Sequence, residues 1–474
     1  MIIINMFFMN TSLSKNGYKI KKNEFNPRKI KEIKDELNVK PFTFNKMQNT
    51  ETRFQVYLES PKKLYLPRFY GIEKFGEPIQ NNIEEGDSIH LKFNGNLREE
   101  QKPIENIYLE NAKEKGGGII SIKCGGGKTV LALHIISKLQ KKTIVIVHKD
   151  FLMTQWRDRI LEFLPDSRIG KIQQNTIDIE DKDIVLAMVQ SLSMKEYPED
   201  TFESFGLAIF DECHHLGAEV FHKSMTKVAS KYMLGLSATP KRKDGLSKVF
   251  EWYIGPIVYL QKKKNEDYAE VQLIDCIFDD IKYNKEELNF RKDPCMPKMI
   301  NNICDYLPRT ELIFQLIKQY HSEGRNILVL SDRRNHLNIL YNLLDGYSRG
   351  FYVGGMKPHE LRESQEKDIL LATFSMASEG MDIPKLDTVI LSSPKSDVEQ
   401  SVGRIFRKKV CDRKFHPLII DFQDQFSMFK NQCNKRIQLY HKLNFTIFHN
   451  NEEIIKKKKK KNVKLQSFLL TDDD

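Results

Sequence analysis

Nowhere in this 474-residue chain does an apolar run approach the ~20 residues that a membrane-spanning helix needs. Cysteine is scarce and poorly spaced for structural use. The 7 Cys (Cys124, Cys213, Cys276, Cys295, Cys304, Cys411 and Cys433) include no C-x-x-C pair. That argues against a disulfide framework and a Cys-rich zinc site, and for a reducing, intracellular compartment. The apolar start, Met1 to Met9, is broken by Asn5 and has neither a leading positive charge nor a small-residue cleavage site, so it does not fit a signal peptide. No repeat of solenoid length is present. Acid is also short: 64 Asp+Glu face 75 Lys+Arg, a formal charge of +11. From Glu452 onward, seven Lys oppose two Glu and three Asp, which leaves the preceding body at +9. A basic body suits a polyanionic partner, most often nucleic acid, although a Lys-, Asn- and Ile-rich composition produces the same excess by drift.

With 40% hydrophobic and 29% charged residues, the balance is that of an ordinary globular chain, and the length calls for two to four domains. Residues 10–39 are rich in Lys, Asn and Glu and read as either mobile or loosely helical. Alternation at Phe54–Leu58 and Leu64–Leu66, with Pro61-Lys62-Lys63 between, predicts a hairpin, and Ile89–Phe93 predicts a third strand. Residues 1–85 are therefore expected to form a small β-rich module. From about Leu97 the texture becomes α/β. Apolar runs at Ile119–Ile122, Thr143–Val147, Ile184–Val189, Leu207–Phe210 and Met233–Leu236 are separated by helical patterns such as Val130–Leu139 and Phe151–Phe163. Near-continuous apolar strands between helices mean a parallel sheet covered on both faces. A second such series follows at Ile327–Leu330, Phe351–Val353, Ile369–Ala372, Thr388–Leu391 and Leu418–Ile420. The expected division is 86–262 for the first α/β domain, 263–310 as a connection, 311–447 for the second domain and 448–474 as a basic tail. Within 263–310 the stretch from Val271 to Leu307 is ambiguous. The six lysines Lys456–Lys461 repel one another and read either as a phosphate-binding tail or as a solvated passenger.

The chemistry starts where the strand Ile119–Ile122 runs into Cys124-Gly125-Gly126-Gly127-Lys128-Thr129. Three glycines permit a tight turn that aims amides inward, and the following helix points its positive end at the same place, which suits a nucleotide phosphate. Lys128 would reach the β- and γ-phosphates and Thr129 would hold Mg²⁺. The usual G-x-x-x-x-G-K-[ST] pattern places a glycine where this chain has Ile122. Further on, Leu207–Phe210 delivers Asp211 and Glu212 together, a costly pair without a cation. Asp211 suits Mg²⁺, and Glu212 suits the orientation and deprotonation of a water. Cys213, His214 and His215 are consecutive and cannot converge on one zinc ion. Ser237-Ala238-Thr239 ends another strand, where hydroxyls can bond the acids or cap a helix. A helical turn through 400–407 would place Gln400, Arg404 and Arg407 on one face.

In this order the loop, the Asp-Glu-Cys-His run and the Ser-Ala-Thr run strongly resemble superfamily 2 helicases of the DEAD/DEAH-box type, including the type III restriction-helicase-like branch. Thr373–Asp382 resembles motif V of that family, and Gln400-Ser-Val-Gly403-Arg404-Ile-Phe-Arg407 resembles its motif VI, Q-x-x-G-R-x-x-R. Leu97-Arg98-Glu-Glu-Gln101 resembles its adenine-recognition element. The C-G-x-G-K-T form of the loop also occurs there. The resemblance spans roughly residues 86–425. It implies two tandem RecA-like domains, Mg·ATP as cofactor, and adenine contacts from Arg98 and Gln101. It also implies nucleotide contacts from Gly380 and Asp382 and coupling through His214, Ser237 and Thr239. Arg404 and Arg407 would reach across a cleft between the domains to the transferring phosphoryl group. Nucleic-acid contacts are implied for Lys149, Gln155, Arg157, Gln190, Arg333 and Thr373. Trp156 suits core packing or base stacking. The N-terminal pattern Phe54 to Gly71, including Pro67-Arg68-Phe69-Tyr70-Gly71, resembles helicases of nucleocytoplasmic large DNA viruses (mimivirus, asfarvirus, poxvirus transcript-release type). This implies a viral protein of the host cytoplasm or virion that partners transcription or replication machinery. The leading expectation is an ATP-dependent helicase or translocase on DNA or RNA. The second is a non-unwinding ATP-driven clamp or transcript-release factor. No metal-dependent nuclease constellation supports the motor half of a restriction-type nuclease.

Overall fold

A computed structural model describes residues 11–40, 53–122, 125–212, 218–238, 245–261, 268–379, 381, 383–408, 410–450 and 452–454. The chain folds as two compact units, Met1–Lys263 and Lys264–Asp474. Each is organised around an eight-stranded sheet.

In the first unit the strand order is Thr176–Asp178, Ile169–Gln173, Ile184–Met188, Thr143–Val147, Leu207–Asp211, Tyr232–Ser237, Gly117–Ser121 and Ile257–Leu260. Every pairing is parallel except that of the Thr176–Asp178 edge strand. All five apolar runs expected as strands lie in this sheet. Successive residues serve opposite faces. Val145, Ile209 and Leu234 join one buried cluster, and Ile144, Phe210 and Met233 join the other. The run Ile89–Phe93 is not a strand. Ile89 and Leu91 are buried, but their backbone is satisfied by a glutamine rather than by a neighbouring strand. The Leu91 amide donates to Gln140 Oε1 (3.0 Å), Gln140 Nε2 donates to the Leu91 carbonyl (2.9 Å), and the Ile89 amide donates to the Gln140 carbonyl (3.0 Å).

Ahead of this sheet sits a small five-stranded sheet, in which the hairpin Leu58–Glu59 to Lys63–Leu66 forms as expected. Residues 12–21 are a second hairpin rather than loose helix. Leu13, Tyr18 and Ile20 point inward and are buried, while the lysines between them keep their heads in water. After a 3₁₀ turn at Lys22–Glu24, the first α-helix is Pro27–Glu36, capped by Asn26. Phe54–Gln55 pairs with Asn38–Val39 and not within the hairpin. The motif at 67–71 fastens this module to the larger sheet. Arg68 donates to the carbonyls of Lys231 (2.9 Å) and Lys115 (3.0 Å). Tyr70 meets Trp252 edge-on at 5.3 Å. Gly71 lies against the Tyr18 ring, where a Cβ would stand 2.1 Å from Cγ.

In the second unit the order is Arg349–Tyr352, Ile369–Thr373, Ile327–Ser331, Thr388–Leu391, Leu418–Asp424, Glu270–Cys276, Thr446–His449 and Glu452–Glu453. Only the last pairing is antiparallel. The second series of apolar runs is thus in register as strands. Glu270–Cys276, inside the stretch the sequence leaves ambiguous, is an interior strand of this sheet. The adjacent strand Leu418–Asp424 is buried throughout and carries two acids. Each acid meets an arginine: Arg309 donates to both oxygens of Asp424 (2.8 and 3.0 Å), and Arg436 Nη2 donates to Asp421 (2.7 Å).

Candidate active site

Three adjacent strands, Leu207–Asp211, Tyr232–Ser237 and Gly117–Ser121, end at the same edge. In open parallel sheets ligands collect at such carboxyl edges. The third strand continues into the glycine loop. Gly125 (φ +78°) and Gly127 (φ +77°) adopt left-handed backbone that a Cβ would strain, and the helix Lys128–Leu139 starts directly after. No side chain caps this helix; Gly127 stands at its N-cap. Its first amides and the two left-handed glycines form a cradle suited to phosphate.

Gln101 fixes the loop from behind. Its Nε2 donates to the carbonyls of Gly126 and Gly127, both at 3.1 Å, and its Oε1 accepts from the Arg98 amide at 3.0 Å. A Cβ on Gly127 would fall 2.5 Å from that Nε2. The element Leu97–Gln101 and the glycine loop are therefore one hydrogen-bonded unit.

The acids close the site. Lys128 Nζ is paired with Glu212 Oε1. The other Glu212 oxygen accepts from the Ala238 amide at 3.4 Å, which brings the Ser-Ala-Thr run into contact with the acid. Glu212 has φ +48°, a strained backbone for a residue with a side chain and one that recurs at functional sites. Asp211 is 7% exposed and accepts from Trp156 Nε1 at 2.8 Å. Burial first, and then the neighbouring Glu212, raise its pKa; Lys128, the Trp156 bond and His148 oppose that shift. Ser237 is fully buried at its strand end. Donors and charges here fit a nucleotide with its cation: a phosphate cradle, the Lys128 ammonium paired with Glu212, and two adjacent carboxylates, Asp211 and Glu212. Cys124, His214, Thr239, Gly380 and Asp382 lie outside the described residues.

Of the expected nucleic-acid contacts of this unit, Lys149 and Gln190 follow the carboxyl ends of Thr143–Val147 and Ile184–Met188. Lys149 is the N-cap residue of the helix Asp150–Phe163, and its ammonium sits 6.0 Å from the Phe151 ring centre. Gln155 is half-buried and Arg157 exposed. Gln190 donates to the His148 carbonyl at 2.9 Å. Trp156 belongs to the core, at 1% exposure. The spacing of Leu152, Met153, Trp156 and Ile160 signals that burial; nothing in the sequence signals that its N–H ends on Asp211.

In the second unit, Thr373 ends its strand with its hydroxyl 3.3 Å from that of Ser375. Arg333 donates to Asn301 and to the carbonyls of Pro297 (3.1 Å) and Asp332 (3.2 Å). The stretch 399–407 is not one α-helix. Glu399–Val402 is α-helical, and Gly403–Phe406 tightens to a 3₁₀ turn. That tightening turns Arg404 inward. It is 4% exposed and donates to the carbonyls of Ala377, Ser378 (2.6 Å) and Met381 (2.9 Å). Its guanidinium is thus bound to motif V of its own unit. Gln400 and Arg407 are half-buried.

Residues 94–242 match the family model for the type III restriction enzyme res subunit, and residues 309–409 match the helicase conserved C-terminal domain. The chain is 36% identical over 454 residues to "Putative ATP-dependent RNA helicase L396" of Acanthamoeba polyphaga mimivirus, covering 92% of this chain and 86% of the relative. It is 25% identical over 383 residues to "Putative ATP-dependent RNA helicase QP509L" of African swine fever virus, covering 74% and 73%. Among solved structures, T4 UvsW aligns over 93% of this chain and 99% of its own length, with 18% identity and a TM-score of 0.39. The matches do not favour the non-unwinding clamp. With two RecA-like α/β domains and a phosphate loop in place, the chain belongs to the viral superfamily 2 helicases, ATP hydrolases that depend on nucleic acid.

Proposed function

We propose that the chain hydrolyses Mg·ATP at the Gly125–Thr129 loop and uses the energy to move along or open a nucleic-acid strand in viral transcription or replication. RNA is the first substrate to test, because both viral relatives are named for it. The supporting observation is the convergence of Gln101, Lys128, Asp211 and Glu212 on one glycine loop at the ends of three adjacent strands. Thr129 and Asp211 would hold Mg²⁺, which when bound supplies positive charge to the phosphates. Lys128 exchanges Glu212 for phosphate oxygens. That leaves the Glu212 carboxylate, steadied by the Ala238 amide, to take a proton from the attacking water. Gln101 holds the loop in its binding shape. Arg407 would contribute charge to the transferring group, as the family resemblance implies, and Arg404 braces motif V of its own unit.

The deciding measurement is ATP turnover with single- and double-stranded RNA and DNA at fixed salt, paired with strand displacement. Stimulation by RNA together with displacement supports the proposal. Turnover indifferent to every strand overturns it.

A further inference from the structure

The indole of Trp156 presents its ring to the core and its one polar atom to the carboxylate assigned to the cation. Trp156 sits on the inward stripe of the helix Asp150–Phe163. A buried indole N–H requires an acceptor, and backbone carbonyls usually serve. Here the acceptor is Asp211 Oδ2, at 2.8 Å and 55 residues further along the chain. Lys149 is the N-cap of the same helix, and Trp156 is flanked by half-buried Gln155 and exposed Arg157, residues for which the family resemblance implies strand contact. A second arm ends nearby. The carbonyl of His148, the residue before Lys149, accepts from the Gln190 side-chain amide at 2.9 Å. The helix that carries Gln155 and Arg157 therefore reaches the carboxylate through one indole.

We infer that Trp156 is a positioning residue that transmits strand occupancy of the helix Asp150–Phe163 to the orientation of Asp211. The indole is rigid, with two side-chain torsions and no slack, so a shift of the helix is delivered to Oδ2 rather than absorbed. With Oδ2 held by the indole, Oδ1 remains the oxygen for the cation. Trp156 touches neither nucleotide nor strand in this role. The inference rests on the reading of the glycine loop as the ATP site.

Trp156→Phe keeps most of the ring and removes the donor. Loss of one hydrogen bond to a charged acceptor predicts a fall of about tenfold in strand stimulation of ATP turnover, with strand affinity changed by less than about twofold. The Mg²⁺ concentration needed for half-maximal binding of a fluorescent ATP analogue should rise several-fold in the same variant. A full-length Trp252→Phe chain provides a readout independent of turnover, since it leaves Trp156 as the only indole of the 2 Trp in the sequence. Single-stranded RNA added without nucleotide should shift its emission. Undiminished stimulation with an unchanged Mg²⁺ requirement in Trp156→Phe overturns the inference. If that variant fails to fold, emission indifferent to RNA in Trp252→Phe does so. A wild-type chain that neither binds nor responds to any strand refutes the helicase-site proposal instead, so the two failures are distinguishable.

Discussion

Each unit threads an acid-bearing strand through its sheet, and the acids meet opposite partners. On Leu418–Asp424 in the second unit, Asp421 and Asp424 are fully buried and gripped by arginines. Arg436 and the Tyr440 hydroxyl (2.7 Å) hold the first, and Arg309 grips both oxygens of the second. Forked guanidinium pairs of this kind satisfy the carboxylate's oxygens together and leave the charge no further use. On Leu207–Asp211 in the first unit, the acids stand at the strand end, not within it. Glu212 is paired with a lysine, a flexible point charge that a phosphate can take over, and Asp211 is held through one oxygen by an indole. The residue type is the same. What separates a fastening from a working site is whether the partner can leave. The arginines of the second unit extend the contrast: Arg404 is bound to three carbonyls of motif V, and Arg407 at the end of the 3₁₀ turn is only half-buried.

The largest expected effect tests that last distinction. Arg407→Ala should lower strand-stimulated turnover by about 10³ or more with ATP affinity held within about tenfold. Arg404→Ala, by removing an internal brace, should lower the melting temperature as well. Equal losses of stability in both variants would erase the difference. Next comes Glu212→Gln, which keeps the shape and removes the base. Turnover should fall by about 10²–10⁴ while nucleotide binding, followed by equilibrium titration, persists. On the fastening side, Arg309→Ala leaves Asp424 buried without its fork. Unfolding in urea should show a loss of about 3–5 kcal/mol with nucleotide affinity unchanged. If Arg309→Ala instead weakens nucleotide binding and spares stability, the second pair is not structural.

Much of this arrangement is legible in the sequence, for a physical reason. Strands buried on both faces read as unbroken apolar runs, so Thr143–Val147 or Ile327–Ser331 announce themselves. A loop that must turn at Gly125 and Gly127 spells glycine. What stays hidden depends on who pairs with whom. Ile89–Phe93 alternates like a strand, yet its partner is the Gln140 side chain. Residues 12–21 read as polar because Lys15, Lys19, Lys21 and their polar neighbours outnumber the inward Leu13, Tyr18 and Ile20. Gln400, Arg404 and Arg407 share a face only at 3.6 residues per turn, and the backbone shortens to 3₁₀ after Val402. The bond from Trp156 to Asp211 joins residues 55 apart, and no local pattern encodes it.

The smallest effect concerns the proton on Asp211. Burial and the adjacent Glu212 raise its pKa above the ordinary carboxylate value, so the native chain holds this proton to a higher pH than the unfolded chain does. Between those two pKa values the native state binds more protons, and its stability falls as pH rises; below both, the contribution is fully present. Asp211→Asn cannot ionise and lacks that decline. Melting curves recorded with chelator and without nucleotide, from the ordinary carboxylate value upward, should show wild type losing ground to the variant as pH increases. Parallel curves for wild type and Asp211→Asn would mean that burial and Glu212 do not lift the Asp211 pKa, and that the contrast between the two strands rests on geometry alone.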